Sequence, residues 1–539
     1  MVTVKAIMDG YGEKFKEEFP DLDALIAIEA TPKQQKMLSA PLPAMGRYKR
    51  AVSFLEDVTS GRNLGLKRFQ VITEYFIALA DELTKYKGVN KSKKVVCGLT
   101  KKQKNNIRTI ATSDNDIVRA ETLERFTNHD TAAAGDYIKL LIGHKLPELE
   151  SMMEGVHFAA TSEDVMGNVF GMIGNELVYG HFVPKILDFC DHLMNYAAAF
   201  DAMNKGVSIP GFTHDQAAEP HTLTKKFGNR VASIEKLLRT LITDGEFQPF
   251  SGKMGGAIGN LTTHYAAYPD INWFEFSENF VEELGLDYSS MTDQSTSYVV
   301  EAQILTTLGN IMTQMHKVTE DFVDLASSPG QLFTKKKKEG SKGSSIMPNK
   351  SNAWGMEGAQ FMFEFARDKM LSYARLLPSY PHEGNMGRSY ALRNLGDVFM
   401  DAFIGIGRVI REMNSYVPNF DSIGEFFDKY PGMAGSSIQT ILKREGIEGD
   451  AYRELQKISM NPDGTYANRD QFQNRLENAV AEMGLSQGAK AEIMGTMNPE
   501  NLVLASHSRA KFELRGIKIR FEEYRHMLTQ YAPKETING

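Results

Sequence analysis

Apolar residues recur three and four positions apart over long stretches of this chain, the spacing that lines one face of an α-helix. LKRFQVITEYFIALADELTKY, from Leu66 to Tyr86, shows the pattern. It recurs over residues 169–202, 222–241, 297–326 and 358–375. The reading is a mainly α protein whose longest helices lie in the middle of the chain. Residues 1–40 read as a short helical prelude without visible chemistry. From about Asp421 the helical segments become shorter and more charged, which places a domain boundary there. No internal repeat of 20–50 residues is present.

Composition narrows the class without selecting a function. At 539 residues the chain exceeds one hydrophobic core. A hydrophobic share of 42% with 24% charged residues is an ordinary globular balance, and a net charge of −7 gives no footprint for nucleic acid. Two cysteines, Cys97 and Cys190, argue against a disulfide framework and suit a reducing cytoplasm. The first residues, MVTVKAIMDGYGEKFKEEF, lack the apolar core of a secretory signal, and no uncharged apolar run is long enough to span a membrane. The histidines show no metal-ligand spacing, so neither a metal nor a cofactor is expected.

The chemistry concentrates in GSKGSSIMPNKSNAWGME, Gly340–Glu357. Glycine and serine at its start describe a mobile loop, and Pro348 precedes the start of a helix. The lysines at 335–338 alone would read as a solvated charge run. With Lys350, Asn352 and Glu357 following, a loop serine has what it needs to act as a base: an ammonium, backbone donors and closure against water. Further candidates precede and follow it. Asn128, His129 and Asp130 stand before a small-residue helix that Asp130 or Thr127 would cap. Thr161 and Ser162 precede Glu163 and Asp164 as in a capping box. His214 lies in a loop bounded by Pro210 and Pro220, a position suited to a general acid. Lys253 and the glycines after it suggest backbone close to a ligand. Arg388, Ser389 and Arg393 form a phosphate-clamp pattern.

GSSIMPNKSN resembles the signature loop of the fumarase/aspartase superfamily. The wider set is similar to the adenylosuccinate lyase family: GRY at Gly46–Tyr48, LERFTNHD, HFAATSEDV, the TH-Q element at Thr213–Gln216, GKMGGAIGN, and SYALRNLG. These strings occur in family order over about Leu42 to Gly446. The resemblance implies three mostly helical domains, 1–149, 150–420 with the loop at 340–353, and 421–539, the middle one a long bundle. It implies elimination of fumarate from an N-succinyl purine nucleotide, either adenylosuccinate or SAICAR. It also implies a cytoplasmic homotetramer whose sites are shared between subunits.

Carried over residue by residue, Ser344 matches the base, His214 the general acid and Glu357 the carboxylate that orients it. Lys350, Asn352, Thr161 and Ser162 match groups on the succinyl carboxylates. Arg47, Tyr48, Ser389 and Arg393 match the phosphate set, with Arg388 one turn from a missing arginine at Gly384. Asn128, His129, Asp130, Gln294, Ser345 and Met347 complete the substrate contacts. Departures from the family pattern are Met45, Met166, Gly167, Asp215, Thr296, Tyr298, Asn349 and Gly384. Asp215 beside the acid histidine would raise that histidine's pKa. The departures suggest a divergent member acting on a modified or deoxy-purine. Two alternatives stay open: another succinyl-amine substrate, which the retained Arg393 and Ser389 oppose, and a homologue impaired in catalysis.

Overall fold

The structure is a computed structural model that describes residues 13–18, 20, 24, 46–204, 208–327, 331–337, 339–447 and 449–531. Of the expected prelude over residues 1–40, it describes a helix at Glu13–Glu18. Most of the rest, like Met45, lies outside the described residues. Helices dominate, and the described strands pair two by two.

The elements that position the site begin with α1 (Gly61–Lys85), α2 (Asp114–Thr127), α3 (Asp130–Lys145), α4 (Ser162–Asn175) and α5 (Val183–Asn204). Local sequence starts them: the Ser60 side chain accepts from the Asn63 amide at the head of α1, and Ser113 with Asp116 forms a capping box on α2. Between α4 and α5 the helix continues through wider π-type turns at Glu176–Phe182, buried at Leu177, Val178, Tyr179 and Phe182. Next come β1 (Ser208–Thr213), β2 (Gln216–Thr222) and α6 (Leu223–Arg239). The region around His214, expected as a loop, is an antiparallel hairpin. Its two-residue turn is His214 and Asp215, with φ of 52° and 57°. Positive φ at both turn residues matches the twist of the flanking strands, and His and Asp tolerate it better than most residues.

The centre of the bundle is α7 (Val299–Leu325), packed along α8 (Trp354–Leu376), which in turn packs along α10 (Leu395–Met413). Between them lie β3 (Phe333–Lys335) and the short α9 (Met386–Arg393). β3 pairs antiparallel with β4 (Tyr416–Pro418), Lys335 opposite Tyr416. α11 (Phe420–Lys429) follows, and after several shorter helices comes α12 (Pro499–Leu528), with a 3₁₀ turn at Thr529–Tyr531 behind it. Among the described residues no helix is long and apolar enough to cross a membrane.

Among the described residues two apolar clusters result. The large one runs from Val52 to Ile423 and takes in Ile517, Phe521, Tyr524 and Leu528 of α12. The small one runs from Ala434 to Ile493. The expectation of short helices after Asp421 is corrected at α12, which is 30 residues long and returns to the bundle. It is tied there by Arg520 and Tyr524, which donate to the Glu235 carboxylate of α6 at 2.7 and 3.0 Å. Burial would raise the Glu235 carboxyl, but these donors and Arg239 bring it below its ordinary value.

Candidate active site

The chain turns sharply between α2 and α3. Asn128 ends α2 in the left-handed region, φ 52°, and His129 starts α3. The cap of α3 is His129, not Asp130 or Thr127: its Nδ1 accepts from the Ala132 amide at 3.3 Å. That frees the Asp130 carboxylate to accept from two guanidiniums, Arg68 of α1 at 2.7 Å and Arg393 of α9 at 2.6 Å. Burial would raise the Asp130 carboxyl, and the two arginines hold it below its ordinary value. Asn128, His129, Asp130, Arg68 and Arg393 line one cavity of about 490 Å³. Arg68 carried no sequence signal beyond its place on α1. Its Nε also donates to the sulfur of Met166, one of the positions that departs from the family pattern.

Thr161 and Ser162 open α4, and their capping box forms as expected: Asp164 accepts from the Thr161 amide at 2.8 Å. Asp164 does more than cap. It is fully buried and takes the Gly255 and Gly256 amides at 2.8 and 3.1 Å and the Lys253 ammonium at 3.0 Å. Lys253, expected near a ligand, is instead a buried tie. Its Nζ donates to Gly256 O at 3.2 Å and Gln294 O at 2.6 Å, while Asn168 braces its backbone. One ammonium therefore joins the α4 terminus, the glycine loop and the Gln294 segment. Beside it, burial lifts the Glu163 carboxyl above its usual range against the pull of Lys253.

Arg388 was expected beside Arg393. It is buried instead, donating to Ser295 Oγ and, at 3.4 Å, to Thr296 O. Its guanidinium lies 5.5 Å from the Tyr298 ring centroid and 5.4 Å from that of Tyr380. Arg68 is thus the guanidinium that meets Arg393 across Asp130. Ser389 is also buried. At Gly384 an added Cβ would stand 2.4 Å from Gln294 Oε1, so the space a side chain would need is taken by the glutamine amide.

The signature loop stands out from the fold on a clamped base. Lys335, entering it, pairs with Glu412 of α10 at 3.1 Å and lies 5.3 Å from the Trp354 ring at its exit. Arg408 of α10 lies against both Trp354 and Tyr48 and donates to the Tyr48 hydroxyl at 3.1 Å. This brings the Gly46–Tyr48 turn, with exposed Arg47, to the base of the loop. Within the loop the Asn352 amide donates to Gly343 O at 3.3 Å, and Ser344 Oγ accepts from the Met347 amide at 3.2 Å. Ser344 and Lys350 are half-buried, whereas Ser345, Met347 and Glu357 are exposed.

His214 is exposed at the hairpin tip. Its strands pack against α11, against the 3₁₀ turn Pro431–Ala434 and against α12. Ser344, Lys350 and Glu357 belong to α8 and the loop before it, on the α7–α8–α10 bundle. The motif residues thus form three groups on one chain: the fork around Asp130 with the α4 terminus, the loop on its clamped base, and the hairpin.

Residues 46–362, more than half of the chain, match the protein family described as Lyase. Two curated relatives are adenylosuccinate lyases. That of Escherichia coli K12 is 27% identical over 424 residues, 78% of this chain and 89% of that protein. That of Dictyostelium discoideum is 29% identical over 434 residues, 79% of this chain and 90% of that protein. Among solved structures, beta-carboxy-cis,cis-muconate cycloisomerase from Acinetobacter calcoaceticus sp. ADP1 shares the fold, with a TM-score of 0.60 at 13% identity over 86% of this chain and 97% of that one.

Proposed function

The chain belongs to the Lyase family as a divergent member of the fumarase/aspartase superfamily, and on that premise we propose that it releases fumarate from an N-succinyl purine nucleotide, adenylosuccinate first among them. The observation that carries this reading is the fork. Two guanidiniums converge on one carboxylate at the wall of a 490 Å³ cavity, with Asn128 and His129 on its rim. A phosphate would suit the N–H donors that Asp130 leaves free on this pair, because a guanidinium carries five donors and meets anionic oxygens with paired ones.

In the reaction, Ser344 removes the proton from the succinyl Cβ. The electron pair left there becomes the C=C bond of fumarate. The C–N bond breaks, its pair stays on nitrogen, and His214 supplies that nitrogen with a proton. Lys350, Asn352, Thr161 and Ser162 hold the carboxylates, where negative charge builds as the proton leaves. Glu357 orients His214. Closure of the loop over its clamped base would exclude water at that moment.

The three groups complete one site when copies of the chain lend each other the hairpin and the loop, as in a homotetramer packed through its bundles. The exposed apolar face of α8, Phe361 at 64% and Phe365 at 56%, supports that packing. Sedimentation at the mass of a single chain would remove this part of the proposal. The departures from the family pattern at Thr296, Tyr298 and Gly384 support a shifted purine or sugar preference, read by comparing ribo- and deoxynucleotide substrates.

The test of function is fumarate release from adenylosuccinate, with Ser344→Ala as the control. Loss of the base should slow turnover at least a hundredfold in a protein that still folds. A folded wild type that releases no fumarate from adenylosuccinate, SAICAR or their deoxy forms refutes the reading.

A further inference from the structure

The hairpin tip is exposed from Phe212 to Gln216, and both turn residues hold positive φ without being glycine. Something other than burial must fix the direction of the His214 side chain. An arc of aromatic residues from α11 to Tyr466 supplies it. Phe212 of β1 meets Phe426 of α11 edge-on with ring centroids 5.5 Å apart. Phe426 packs on Tyr430 at 4.7 Å, and Tyr430 on Tyr466 at 5.3 Å. The Tyr466 hydroxyl then donates to Gln216 Oε1 at 3.0 Å, on the other strand of the hairpin. The chain of contacts leaves β1, passes through three aromatic rings and returns to β2. It grips the two strands on either side of the turn. A second strut runs from Ser436 Oγ to the Glu219 carboxylate.

The arc is anchored firmly at its Tyr466 end. Tyr466 forms a β-bridge with Met460. Arg475 donates to the Met460 carbonyl at 3.2 Å and to Asn461 Oδ1 at 2.7 Å, closing the small loop that holds the tyrosine. A cavity of about 310 Å³ lies behind the arc, lined by Ala217, Tyr430, Ser436 and Tyr466 among others. Packing does not fill that space, so near the tip of the hairpin the arc and the two hydrogen bonds make the link to these residues.

We propose that this aromatic arc sets the position of the acid histidine, with Tyr466 a positioning residue that acts on His214 through Gln216. This rests on the lyase reading above. A shift of an ångström in a proton donor costs rate more than binding, because the hydrogen bond it makes tightens in the transition state. The prediction concerns Tyr466→Phe in the full chain, which keeps the ring and removes one hydrogen bond. We expect kcat to fall about fivefold, the factor of one hydrogen bond, with KM unchanged. Gln216→Ala should give the same loss, and the two should not add. In a His214→Ala background, Tyr466→Phe should cost nothing further, since its target is gone.

Hydrogen exchange of the peptide over residues 208–222 provides a readout independent of turnover. It should quicken in Tyr466→Phe while the rest of the chain keeps its protection. An unchanged kcat, an equal loss in the His214→Ala background, or unaltered exchange of the hairpin would each overturn the proposal. Absence of fumarate release by the wild type would instead strike the functional reading, and the exchange measurement would still decide the structural claim.

Discussion

Replacing Lys253 by Met removes the ammonium that joins three segments of the site. The pair it makes with Asp164 spans 3.0 Å, with side-chain exposures of 1% and 0%. At an effective dielectric constant of about 20, two unit charges at that distance attract by about 5 kcal/mol. The ammonium also leaves behind the Gly256 and Gln294 carbonyls. Against this, the folded state no longer has to desolvate an ammonium, and methionine refills most of the volume. Breaking a buried pair by deleting one partner typically costs about 3–5 kcal/mol, because the other charge stays buried. Here the Asp164 carboxylate keeps three backbone amides, those of Thr161, Gly255 and Gly256. The low end of that range, about 3 kcal/mol, is therefore expected. Urea denaturation followed by far-ultraviolet dichroism measures the loss. Because the Gln294 segment and the α4 terminus would also drift apart, KM should rise together with the fall in stability. A loss under about 1 kcal/mol with KM unchanged would refute the claim that this ammonium ties the site together.

Two further outcomes follow from the same geometry. Arg68→Gln should raise KM about tenfold for a phosphorylated substrate and leave the dephosphorylated nucleoside nearly unaffected. An equal effect on both would make Arg68 purely structural. The second outcome concerns His264, which is buried against Tyr75 at 3.1 Å and Trp273, with its basicity lowered by burial to a pKa of about 4 from 6.5. A lowered value means the unfolded chain takes the proton first as pH falls. The neutral histidine costs nothing above pH 6.5, and stability drops between 6.5 and about 4 by roughly 3 kcal/mol. His264→Gln should flatten the urea midpoint across that window, and an unchanged slope would show that other groups set it.

The helices, the capping box at Thr161 and the strings of candidate residues were legible in order along the chain because each depends on neighbours within a few positions. Periodic apolar spacing needs one face to bury, and a cap needs a side chain three residues from an amide. The hairpin was missed because its turn uses His and Asp where the usual signal is Asn-Gly. The long α12 was missed because its exposed face hides the residues it returns to the bundle.

What the sequence alone determined is the set of residue types its motifs supply: a serine on a glycine-rich loop, a histidine, a lysine and an asparagine, with arginines in other segments. Only the tertiary structure decided which arginine meets Arg393. Arg388 and Arg68 look alike as letters, yet one is buried against two tyrosines and the other meets Arg393 at Asp130 from a helix more than three hundred residues earlier in the chain than Arg393. The same holds for Lys253, which becomes a buried tie only because Asp164 and the Gln294 carbonyl arrive from distant segments to neutralise and bind it. Charge partners across such separations are selected by how whole helices pack, and no spacing rule along the chain encodes that choice.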